Sequence, residues 1–258
     1  MSYHAGTMPQ WERFPKAPIS EAILDIAVKF AAPVDLARLE AFQDAIRERY
    51  PVKRNRVLWQ GQIRLEEERF AQEVQRGAQG FMFRSSDDRQ VVQVRQDGFT
   101  FNWLKTYDRW EALRDEARPH WERYKETFGP EAITRLGLRY INRIEIPLPI
   151  SDFREYIKTA PDIAPGLPQG LNALFMRLEI ADMKRGLMAI VTETFQPPVD
   201  DGKRLPFIFD IDIVCGATFE PSSPAIWEKL EQMREYKNEI FFASMTEQAK
   251  AMFRSPSR

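Results

Sequence analysis

Strand-length runs in which apolar and polar residues alternate recur from residue 21 to residue 219, and only folds rich in half-buried strands accommodate so many. The first is Glu21–Phe30 (EAILDIAVKF), with Ala22, Leu24, Ile26, Val28 and Phe30 on one side and Asp25 and Lys29 on the other. A helix follows: Asp35 is placed to cap it, Leu36, Leu39, Phe42, Ile46 and Tyr50 recur at spacings of three and four, and Pro51 stops it. Val57–Phe70, Gly80–Ser85, Gln90–Gln96 and Phe99–Leu104 read as strands, with Asp87-Asp88 and Asp97-Gly98 as turns. Asp108 and Glu111 fit a capping box opening a long helix. Its Trp110, Leu113, Ala117, Trp121, Tyr124 and Phe128 hold helical spacing up to Gly129, with a kink expected at Pro119.

After Gly129 the order begins again. Arg135–Ile146 reads as a strand, Ser151–Lys158 as a short helix and Pro161–Pro168 as a Pro-rich loop. Leu174–Ile180, Leu187–Phe195 and Phe207–Phe219 read as strands, the last two separated by the Pro197–Pro206 loop. Ser223 and Pro224 open a helix carrying Trp227, Leu230, Met233 and Phe241 that breaks near Ala243, and Ser244 with Glu247 suggests a second capping box. The expected fold is therefore α+β, with duplicated strand-helix-strands-helix halves built on antiparallel sheets. Each half lays two helices on one sheet face and leaves the other polar. The expected boundaries are an extended arm at 1–18, a first half at 19–134 and a second half at 135–258, together one compact duplicated unit.

On the polar face of the second half, alternation places Arg139 and Arg143 on one strand, Arg177 and Glu179 on the next, Glu193 on the third, and Asp210 and Asp212 on the fourth. Asp210 and Asp212 are two residues apart and project about 7 Å apart on one face. With Glu179 or Glu193 they are candidate ligands for Mg²⁺ or Mn²⁺, since hard cations take carboxylate oxygen, and a divalent ion beside an arginine can cleave phosphodiesters. Arg139, Asn142, Arg143 and Arg177 are the candidate ligand- or partner-binding residues. The alternative is that these arginines and acids form cross-strand ion pairs on a solvated face.

Other constellations are missing. The two histidines, His4 and His120, are far apart in sequence, so neither a zinc site nor a Ser-His-Asp triad is indicated. No Gly-rich phosphate loop is present. Residues 1–134 hold 21 basic and 21 acidic side chains and 135–258 hold 16 and 17, so neither half has the excess positive charge of a phosphate-binding surface. The in-phase row Phe81, Phe83, Phe99, Phe101 and Trp103 reads as the face beneath the helices, which leaves Arg84, Arg95 and Asn102 on the opposite one. No uninterrupted apolar stretch is long enough to span a membrane, and the single Cys215 suits a reducing, cytoplasmic compartment.

The stretches PISEAILDI, RLGLRYINRIEIP and FIFDIDIV, the last followed by YKNEIFFASMTEQ, resemble a sporadically distributed bacterial and archaeal family of about this length, generally described as uncharacterised. The resemblance runs over nearly the whole chain and carries no catalytic residues with it. Patchy distribution of that kind is similar to that of defence or toxin–antitoxin cassettes, which implies a partner-binding role. As an analogy of fold, the repeated element order resembles the saddle of TATA-binding-protein-like domains. The expected function is that of a non-enzymatic cytoplasmic interaction protein without a cofactor. Its partner would be another protein or a second copy, through the sheet face or the apolar C-terminal helices carrying Phe241, Phe242, Met245, Met252 and Phe253. The alternatives are a metal-dependent nuclease or phosphoesterase using Asp210 and Asp212, and nucleic-acid binding without catalysis through Arg139, Arg143 and Arg177.

Overall fold

The computed structural model describes residues 11–66, 69–104 and 107–254, excepting the side chains of 57–78. The strands are β1 (Ile19–Lys29), β2 (Val52–Glu66), β3 (Arg69–Arg84), β4 (Gln90–Arg95), β5 (Gly98–Trp103), β6 (Ala132–Pro147), β7 (Phe175–Asp182), β8 (Leu187–Phe195) and β9 (Arg204–Cys215). The helices are α1 (Leu36–Ala41), α2 (Trp110–Phe128), α3 (Ala225–Ser244) and α4 (Glu247–Arg254). Among the described residues no helix is long and apolar enough to cross a membrane.

All nine strands join one antiparallel sheet in the order β2-β3-β4-β5-β1-β6-β9-β8-β7. This corrects the expectation of duplicated strand-helix-strands-helix halves and of the saddle. β1 and β6 pair from Ile19↔Asn142 to Lys29↔Ala132 and fuse everything into a single layer. The elements on either side of that seam do not match one for one: α1 and four further strands precede α2 on one side, and a 3₁₀ turn and three further strands precede α3 on the other. β2 and β3 form one long hairpin, so the expected strands Val57–Phe70 and Gly80–Ser85 are parts of it. The expected helix to Pro51 stops at Ala41 and tightens into a 3₁₀ turn over Phe42–Ala45, where the Gln43 amide donates to the Tyr50 and Pro51 carbonyls. The expected helix Ser151–Lys158 is only a 3₁₀ turn, Phe153–Glu155, because Phe153 and Tyr156 are drawn into the core and Ile157 bridges Met245.

Local signals hold with small shifts. α2 runs unbroken through Pro119 and begins at Trp110 without a side-chain cap, so the Asp108–Glu111 box does not form. It ends where Gly129, at φ 61°, returns its N–H to the Lys125 carbonyl. The β4–β5 turn is centred on Gln96 and Asp97, with Gly98 already opposite Arg95 in the ladder. A Cβ on Gly98 would meet the Ile26 carbonyl of β1 at 2.4 Å, so the glycine is required for close strand approach. The α4 cap is Thr246, whose hydroxyl accepts from Ala249 N, rather than Ser244.

The helices lie on one face of the sheet, with α1 against β3, α2 against β5, and α3 against β6 and β9. Beneath them run Leu24 and Ile26 of β1, Phe99 and Phe101 of β5, Leu136, Leu138 and Tyr140 of β6, and Ile211 and Ile213 of β9, all buried. The aromatic row belongs to this core: Phe99 packs 6.1 Å from Trp121 and 5.9 Å from Tyr124 of α2. The N-terminal arm crosses the far end of the layer, stacking Trp11 on Phe242 at 4.9 Å and Phe14 against Phe242 and Phe253.

Leu24 faces Phe101 on one side and Leu138 on the other, so truncating it removes packing on both sides of the β1–β6 seam. Leu24→Ala is expected to cost about 2–5 kcal/mol. In urea, tryptophan fluorescence and far-ultraviolet dichroism should report one coincident transition; two separate transitions would show that the seam does not couple the layer.

Candidate functional site

On the sheet face away from the helices, β1, β4, β6 and β9 bring acids and arginines together. The Asp25 carboxylate accepts from Arg95 Nη1 at 2.6 Å, Thr100 Oγ1 at 2.6 Å and Arg135 Nη2 at 2.6 Å. Arg95, only 5% exposed, also donates from Nε to Asp97 at 2.8 Å, and the two carboxylates hold its guanidinium charged despite burial. Arg139 grips Asp210 with both arms, Nε to Oδ1 at 2.9 Å and Nη2 to Oδ2 at 2.5 Å. Asp212 stands opposite Arg139 in the ladder without a hydrogen bond to it. Burial raises its carboxyl above the ordinary value; Arg139 and Arg135 oppose that rise, and Asp210 and Asp25 add to it.

The other predicted residues are not gathered there. Arg143 bonds Glu145 at 2.7 Å and also Gln196. Arg177 pairs with Glu179 at 2.9 Å on β7, and Glu179 reaches the row of Asp212 only across Ile190. Two strand spacings, about 9.5 Å, separate them. Glu193 lies on the opposite face, since it stands across from Phe209 and Met176 beneath the helices. Asn142 shares that buried face and donates to the Phe209 carbonyl at 2.9 Å. Of the four candidate acids, then, only Asp210 and Asp212 are neighbours, and Asp210 is occupied by Arg139. Among the described residues no three His, Cys, Asp or Glu side chains converge. What this face holds is an interleaved ion-pair network whose guanidinium groups are already met by carboxylates. His120 is bonded to Tyr50 at 3.2 Å in the core, and His4 lies outside the described residues.

Two ionisable groups sit on the helix side of the sheet: Glu193, expected on the polar face, and Lys237 of α3, which the spacing of the sequence does not single out. Glu193 is 1% exposed and neither carboxylate oxygen has a hydrogen-bond partner, so burial alone pushes its carboxyl up to about 7. Its parity with Leu187, Ala189, Val191 and Phe195 is the signal that places it inside. Lys237 of α3 sits 4.2 Å from the centre of the Tyr140 ring and bonds the Asn238 side chain at 2.5 Å. Burial brings its amine down to about 7, with Arg234 adding to the shift and Glu235 opposing it. It borders a cavity of about 140 Å³ between the arm, the start of α2, β6 and α3. The Tyr107 and Tyr140 hydroxyls meet in its wall at 3.0 Å, and both phenols are held protonated by burial. The cavity thus offers phenol donors and an amine that is half neutral near pH 7, beneath a roof made by Trp11 and Phe14.

The C-terminal aromatics anticipated as an interface are covered by the chain's own arm. Lys16 N donates to the Phe253 carbonyl at 3.1 Å, and the Arg254 guanidinium holds Glu12 at 2.6 and 2.8 Å. Exposed apolar surface lies elsewhere, on edge strand β7. Phe175 is 76% exposed, Met183 in the turn after it 87%, and Ile180, Leu167 and Leu171 are exposed too. Comparison with protein-family models and with curated proteins finds no match to this chain.

Glu193 sets a pH dependence of definite sign. Folded, the carboxyl keeps its proton up to about 7, whereas the unfolded chain releases it near 4.5. The contribution is therefore fully present below the unfolded value and is lost as pH rises through the folded one, by about 3 kcal/mol at most. Glu193→Gln is expected to match the parent in acid and to exceed it in urea stability above neutrality; parallel profiles for the two proteins would refute the buried, unpaired carboxylate.

Proposed function

We propose that this chain is a non-enzymatic interaction protein that acts by docking another protein molecule at the β7 edge. One observation carries the reading. Among the residues whose side chains are described, six large apolar side chains remain exposed, and five of them are Leu167, Leu171, Phe175, Ile180 and Met183, on β7 and its flanking segments. An edge strand presents unpaired backbone N–H and C=O groups, and apolar side chains beside them make it a template for strand addition. The opposite edge, β2, begins with the sixth, Val52, but follows it with Lys53, Arg54 and Arg56, charges of the kind that discourage such pairing.

The polar face supports the same reading by what it leaves unused. Arg95, Arg135 and Arg139 are all engaged by Asp25, Asp97 or Asp210, so an incoming phosphate would have to displace existing ion pairs. Cys215 is buried and unpaired, in keeping with a reducing cytoplasmic setting.

A photo-crosslinking residue at Phe175 is expected to give a discrete adduct with a second protein molecule in cells, suppressed by excess unlabelled protein. The same probe at exposed Glu48 should give none. Absence of a competable adduct from probes at Phe175, Ile180 and Met183 alike would overturn the reading.

A further inference from the structure

The segment Phe175-Met176-Arg177-Leu178-Glu179-Ile180-Ala181 is complementary to itself when reversed about Leu178. Directly opposed residues in an antiparallel ladder share a face, and a twofold interface pairs one patch with its own copy. Placing a twofold axis at Leu178 therefore sets Arg177 against Glu179, Met176 against Ile180, Phe175 against Ala181, and Leu178 against itself. The Arg177–Glu179 pairing occurs twice, once on each side of the axis, and each apolar residue meets an apolar one.

The backbone is phased for this register. Phe195 N donates to the Leu174 carbonyl at 3.2 Å, and the β7–β8 register continues from there without a bulge through Phe175↔Thr194 to Asp182↔Leu187. Antiparallel alternation then turns the backbone groups of Met176, Leu178 and Ile180 toward β8 and those of Phe175, Arg177, Glu179 and Ala181 outward. The outward groups at 177 and 179 are those that the twofold pair joins. In the single chain Arg177 and Glu179 satisfy one another along the strand, both about half exposed, so each is free to turn to the copy opposite. At the other edge, pairing two copies about Asn55 would oppose Arg54 with Arg56.

We infer that β7 is a homodimer interface, at which two copies of this chain add edge to edge about an axis at Leu178 and continue the sheet from one molecule into the other. The inference rests on the interaction reading above and names its partner as a second copy. Because the interface is isologous, it closes after two molecules and leaves no β7 edge free for further addition.

The test is sedimentation equilibrium of the purified protein over a dilution series, with Arg177→Glu, Glu179→Arg and the double reversal R177E/E179R. The parent should be a concentration-dependent dimer. Each single reversal opposes like charges at two positions and should weaken association at least about tenfold, while the double reversal restores both attractions and the dimer. Diluted to where each is monomeric, all four proteins should melt alike, since both side chains lie on the surface. A parent that stays monomeric, single reversals without effect, or a folded double reversal that fails to recover the dimer would each overturn the inference. The outcomes also separate the two levels: a monomeric parent whose Phe175 probe captures a different protein keeps the interaction reading and removes the second copy, and an absent adduct with a monomeric parent removes both.

Discussion

The pairing of β1 with β6 is the interaction on which the rest of the molecule depends. It unites the first strand with one from the middle of the described chain in one ladder, Ile19↔Asn142 to Lys29↔Ala132, and so gives all the helices a common surface to cover. A ladder between strands more than a hundred residues apart forms only after a large loss of chain entropy, and continuous burial on one face offsets that loss. Leu24, Ile26, Leu136 and Leu138 supply that burial on the seam itself, with Phe99, Phe101, Ile211 and Ile213 on the strands beside it.

The same parity that builds the core explains the opposite face. Every residue between two core positions on β1, β6 and β9 must point away from the helices, and the sequence places Asp25, Arg135, Arg139, Asp210 and Asp212 at such positions. Charges crowded on a pleated surface are tolerable when signs interleave across strands, and here they do: Arg135 and Arg95 flank Asp25, and Arg139 holds Asp210. Of these acids Asp212 is left without a direct partner, and burial raises its carboxyl.

Much of this was legible from residue spacing, because strand parity and helix capping are local. Asp210 and Asp212 are out of phase with Phe209 and Ile211, so their shared face follows from the sequence alone, as does the Gly129 stop of α2. The same rule applied without regard to charge would have sent Glu193 inward with Val191 and Phe195, and Lys237 onto the helical stripe of Met233 and Phe241. Because an ionisable side chain is ordinarily read as solvated, the sequence reading assigns Glu193 to the polar face and Lys237 to no site. Strand order was not legible. Which strands become edges, and hence the exposure of Phe175, is decided by pairings between segments distant in sequence, and no local pattern records them. Tertiary packing likewise overrode helical spacing at Phe153 and Tyr156.

Among the described residues, the arm beside the Lys237 cavity is held by the stacking of Trp11 and Phe14 on the C-terminal aromatics, Arg254 over the Phe14 ring, two backbone hydrogen bonds, the Trp11 indole on Glu235, and the Glu12–Arg254 and Arg13–Glu111 pairs. Segments tied down in this way open at the low end of a protein's range of local free energies, well before the sheet does. One such opening would release the Lys16 and Arg143 amides from their acceptors and uncover the cavity in the same event. Amide exchange at those two positions therefore keeps time for the widening of the cavity as the arm lifts.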